Sequence, residues 1–120
     1  MPKFAFIFRQ TNVNSPLTAE QQKRRAEEVR NWAIHLRDEG HMLEPHLLSG
    51  NRYVVTPDGK GEFSGETPSG DPIVAILIID ALSFEDAKKI AATHPGLHYG
   101  VSIEVHEATS PAVLPVQAAR

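Results

Sequence analysis

Residues 73–79, Ile-Val-Ala-Ile-Leu-Ile-Ile, admit few folds. A strand sends successive side chains to opposite faces of its sheet, so this run is apolar on both. Ile73, Ala75, Leu77 and Ile79 fall on one face, and Val74, Ile76 and Ile78 on the other. The run is too short to cross a bilayer as a helix. Near the start of the chain, Lys3–Arg9 has the same character, with Phe4, Phe6 and Phe8 opposite Ala5 and Ile7. Two strands of this kind belong in the middle of a sheet whose faces are both covered.

The remaining segments supply the rest of that sheet. Thr18-Ala-Glu-Gln21 has the form of a capping box, and Ala26, Val29, Trp32, Ala33 and Leu36 recur at helical spacing up to Gly40, a residue suited to ending a helix. Residues 41–48 and 51–56 read as strands, either one long bent strand or a small hairpin about Ser49-Gly50. Glycine and proline punctuate 56–70, which is expected to be a mobile loop. Pro72–Asp80 is the apolar strand. Ser83-Phe-Glu-Asp86 opens a second helix with the stripe Phe84, Ala87, Ile90, Ala91, ended by Pro95-Gly96, and His98–Glu107 forms the last strand. A single domain is expected over 1–108, followed by an extended or disordered tail over 109–120.

The order β-α-β-β-α-β predicts an α+β, ferredoxin-like split βαβ fold. Its sheet is antiparallel, with the first and third long strands in the middle. Two short helices cover one face only, and the other would be left as an exposed apolar surface. A second copy packed sheet to sheet is the simplest cover, so a two-fold homodimer is expected.

Composition removes several classes of function. There is no cysteine, which excludes disulfides, thiolate chemistry and thiolate-ligated metals. The net charge is −3, and the basic run Lys23-Arg24-Arg25 is followed at once by Glu27 and Glu28, the pattern of a solvated helix face. No nucleic-acid partner and no membrane partner are expected, and a cytoplasmic location fits. The 56–70 segment lacks the phosphate-binding glycine patterns.

The stretches "KFAFIFRQ", "LTAEQQKRRAEEVRNWAIHLRDEGHML" and "SFEDAKKIAATHPGLHYGVSIEVHEA" resemble the YCII-related family, in the branch named for a DGPF motif. The resemblance spans residues 3–108 and implies a dimeric α+β barrel, often of uncharacterised activity and often encoded beside extracytoplasmic-function sigma factors. Some similar proteins are thought to use a histidine–aspartate pair in a cleft. This chain departs from that pattern. Val29, Arg30 and Asn31 stand where the helix histidine belongs, and His94 precedes Pro95 where the aspartate belongs. "PDGKGEFSGE" keeps only Asp58-Gly59 of the DGPF motif.

Residues 94–108 carry His94, His98 and His106. In a split βαβ fold the end of the first strand, the starts of the two later long strands and the end of the second helix share one end of the sheet. Arg9, Asp71, His94 and His98 are therefore expected to gather there, with His106 near the other end beside Lys3 and Asp80. Histidine titrates near neutrality, a carboxylate can orient it, and arginine can hold a carboxylate or enolate. His94, Arg9 and Asp71 are thus the candidate catalytic residues of a lyase or isomerase acting on a small acidic molecule, with His98, Tyr53 and Arg52 as candidate substrate-binding residues. Alternatives stay open: a non-catalytic small-molecule-binding or regulatory module, or His94 as a cap at the helix C-terminus and Arg9 paired to Asp71 across strands. His94 and His98 are four apart, but Pro95-Gly96 breaks any helix that would align them. No metal and no other cofactor is expected.

Overall fold

The computed structural model describes residues 1–11, 16–49, 51–59, 61–63 and 71–109. Its elements are β1 (Lys3–Gln10), α1 (Ala19–Asp38), β2 (Leu43–Leu47), β3 (Tyr53–Val55), β4 (Gly61–Phe63), β5 (Ile73–Asp80), α2 (Phe84–Ala92), a 3-10 turn (Pro95–Tyr99) and β6 (Val101–Ala108). Four strands form one antiparallel open sheet in the order β2-β5-β1-β6. The two apolar strands, β1 and β5, occupy its centre. With two helices this is an α+β architecture, compatible with the ferredoxin-like arrangement.

Local chemistry explains both helices. Thr18 Oγ1 accepts from the Gln21 backbone N–H (3.1 Å), and the Gln21 side-chain oxygen accepts from the Thr18 N–H (2.9 Å), so the capping box is formed. At the other end Gly40 adopts φ +98°. Its N–H donates to the Arg37 carbonyl and the His41 N–H to the Leu36 carbonyl, the paired bonds of a Schellman motif. An added Cβ would meet open space there, so what favours glycine is the positive φ itself, which L side chains rarely adopt. Ser83 Oγ caps α2 by accepting from the Asp86 N–H at 3.1 Å.

Phe4, Phe6 and Phe8 from β1, Leu77 and Ile79 from β5, Leu36 from α1 and Ala87 and Ala91 from α2 make the core. The α1 stripe reaches it only in part: Leu36 is buried, Trp32 and Ala33 are half-buried, and Ala26 is exposed. Three other expectations are corrected. The segment 56–70 is not all loop, because Gly61–Phe63 forms β4 and pairs with β3 in a separate two-stranded sheet. Its turn is closed by a bond from the Gly59 N–H to the Thr56 carbonyl. Pro95-Gly96 does not lead straight into the last strand, since α2 stops at Ala92 and a 3-10 turn intervenes. His98 consequently lies in that turn, and the strand begins at Val101. The expected tail from residue 110 onward and the stretch 64–70 lie outside the described residues.

Candidate functional site

Side chains of β1 alternate, and that alternation divides the four residues expected to gather. Phe4, Phe6 and Phe8 face the helices and are buried. Arg9 therefore points to the helix-free face. There its Nε donates to Glu104 at 3.2 Å and its Nη1 donates to the Asp71 backbone carbonyl at 2.9 Å. The anticipated Arg9–Asp71 contact exists, but through the main chain of Asp71. The carboxylate that Arg9 meets is instead that of Glu104, on β6. The pair is partly exposed, and such pairs contribute about 0–1 kcal/mol.

His94 lies on the other side of the sheet. Its ring packs against Phe8 (4.8 Å between centroids) and edge-on to Trp32 (4.6 Å), and the residue is only 7% exposed. It serves as N-cap of the 3-10 turn, with Nδ1 accepting from the Gly96 N–H at 2.9 Å. A donor aimed at Nδ1 fixes the neutral tautomer, and burial lowers the imidazole pKa from 6.5 to about 4. At neutral pH His94 is thus an uncharged, sequestered ring, and it caps the following turn rather than the C-terminus of α2, where Thr93 stands. The close fit also explains Gly96, where an added Cβ would come within 2.9 Å of His94 Nδ1.

The candidate binding residues are dispersed as well. His98 is exposed in the 3-10 turn. Tyr53 opens β3 and is 63% exposed, with Arg52 half-buried beside it, both on the segment that forms the small separate sheet. His94 is thus separated from Arg9 by the sheet itself.

Sequence reasoning missed two polar anchors. The Tyr99 hydroxyl donates to Glu28 at 3.0 Å, tying the 3-10 turn to α1, and burial together with the Glu28 carboxylate pushes the phenol pKa up. Asp80 is buried at the end of β5, where its Oδ1 accepts from the Met42 N–H at 2.9 Å. His41 Nδ1 lies 2.8 Å from the Asp80 carbonyl oxygen. The sequence signal for the second anchor was a single acid ending an otherwise apolar strand.

On the helix-free face, register builds two adjacent rows. One runs Glu44, Ile78, Ala5, His106 across β2, β5, β1 and β6, and the next runs His46, Ile76, Ile7, Glu104. The four central residues are half-buried, and the four at the edges are exposed. Within the β2 edge, His46 Nε2 and Glu44 Oε2 are 2.9 Å apart. A cleft of about 390 Å³, lined by Met1, Lys3, Ile78, Ala108 and Thr109, opens at the Lys3 end of this face, the end opposite Arg9. A second cleft of about 390 Å³ lies between α1 and α2 around Trp32, Leu36 and Ile90.

Among the described residues, no group of three or more His, Asp or Glu side chains is placed to hold a metal ion, and no helix is long and apolar enough to cross a membrane. Neither a protein-family model nor a curated protein matches this chain.

Proposed function

We propose that this chain is one subunit of a two-fold homodimer built by the helix-free sheet faces, and that the dimer is a binding module for a small acidic molecule. One observation carries the reading: the central strands turn Ala5, Ile7, Ile76 and Ile78 away from the core, onto a face to which neither helix contributes a core residue. Burying a side chain of this size is worth about 1.5–3 kcal/mol, a strong incentive to pair the face. The cations on the same face, Arg9 near one end and Lys3 beside the cleft at the other, suit a small carboxylic acid with an apolar body. The resemblance of residues 3–108 to the YCII-related family points the same way, and membership of that family is part of this proposal. A binding role is favoured over a lyase or isomerase acting through His94, because that ring is buried, capped and neutral on the other face.

Light scattering should give twice the 13.2 kDa of one chain, and Ile76→Glu should give 13.2 kDa with the helical signal intact. A wild-type mass of one chain at every accessible concentration would sink the dimer. Small carboxylates screened by thermal shift should raise the unfolding midpoint of the wild type. At a hundred times the dissociation constant the gain is about 2.7 kcal/mol. A response unchanged in both Arg9→Gln and Lys3→Gln would remove the acidic ligand from this face.

A further inference from the structure

The rims of the helix-free face carry acids and imidazoles in a pattern that matches its own rotated copy. Across the sheet, Glu44 on β2 is in line with His106 on β6, and in the adjacent row His46 on β2 is in line with Glu104 on β6. Acid and imidazole thus exchange ends from one row to the next. Resting on the dimer proposed above, we infer that two copies meet about an axis parallel to the strands and midway between β1 and β5. Glu44 of each copy then faces His106 of the other, and His46 faces Glu104.

Such an axis reverses the order of strands but leaves positions along them unchanged, so symmetry itself sets the register. β2 lies over β6 of the second copy and β5 over β1. Ile76 then meets Ile7, and Ile78 meets the small Ala5, so the apolar centre interdigitates while the ionisable groups close both rims. Facing sheets are about 10 Å apart, a gap that two long polar side chains bridge from opposite sides. The roughly 30° between aligned sheets displaces the edge strands by about one residue, half the spacing between rows, which such side chains also span.

The competing two-fold axis, perpendicular to the strands, lays β2 over β2 and also sets Glu44 against His46. It brings Lys3 over Arg9 of the second copy, however, because these two cations sit on the same strand one row beyond each end of the pattern. Like charges facing each other across an interface are disfavoured. The parallel axis instead carries Lys3 over Asp80 and Arg9 over the start of β5. Electrostatic complementarity therefore selects one of the two symmetries.

Charge reversal on the full chain tests this, read as the dimer dissociation constant by sedimentation, with thermal melting as a check on folding. Glu44 and His106 are exposed, and substitution there leaves the core untouched. His106→Glu sets two carboxylates face to face and should weaken the dimer at least tenfold. Adding Glu44→Lys in the same chain should restore it to within a few-fold of the wild type. A His106→Glu dimer as tight as the wild type overturns the pairing while leaving the dimer itself standing. Weakening that Glu44→Lys does not rescue overturns the parallel axis in favour of the perpendicular one, where His106 faces Glu104. A monomeric wild type instead defeats the proposal on which this one rests.

Discussion

Between pH 7 and pH 4 the domain should lose up to about 3 kcal/mol of stability on account of His94 alone. The sign follows from the proton count. The folded imidazole titrates at about 4 and an exposed one at 6.5, so between those values the unfolded chain binds a proton that the native state refuses. The contribution is fully present above pH 6.5 and drains away as pH falls towards 4. Protonation would place a cation against the Phe8 and Trp32 rings and remove the acceptor from the Gly96 N–H. Urea unfolding of the wild type and of His94→Asn at several pH values isolates the effect, because the other histidines and the carboxylates are common to both. Asparagine keeps a cap acceptor without titrating in this range. The stability difference between the two proteins should shrink, or change sign, as the solution is acidified. A difference independent of pH would mean that the ring is not held neutral in the fold.

The second large effect separates the two faces of one strand. Phe6→Ala should cost about 3–5 kcal/mol at every protein concentration, because Phe6 is fully buried between sheet and helices. That is a large part of the 5–15 kcal/mol typical of a domain. Its neighbour Ile7 faces the other way, in register with Ile76 and Glu104. In the proposed dimer, Ile7→Ala should cost little in dilute solution and progressively more as concentration rises, since stability borrowed from association grows with concentration. Denaturant unfolding at two concentrations a hundredfold apart distinguishes the cases. An Ile7→Ala cost that is large and the same at both would show that Ile7 is packed within its own chain.

These expectations rest on features of unequal origin. Local periodicity and end chemistry sufficed for the elements themselves: the capping box at Thr18, the stop at Gly40, the cap at Ser83, and two strands apolar on both faces that had to be central. Each of these is decided within a few residues, by bonds to the nearest backbone or by alternation along one strand. The strand expected at 51–56 contains β3, but its partner β4 was missed because a three-residue strand carries too little periodicity to stand out from a glycine-containing loop.

The site was a tertiary decision. Arg9 and His94 were expected side by side because topology brings their elements to one end of the sheet. Topology does not say which face each side chain takes, and strand alternation put Arg9 opposite the side on which Phe8 meets His94. Nothing local to His94 foretold that its ring would fit between a strand phenylalanine and a helix tryptophan remote in sequence, and that fit is what lowers its pKa. Likewise, the sequence contained Glu44, His46, Glu104 and His106 as unremarkable edge residues. Only the register of four strands, set by backbone hydrogen bonding and the packing of the phenylalanine face, aligned them into two rows of opposite polarity.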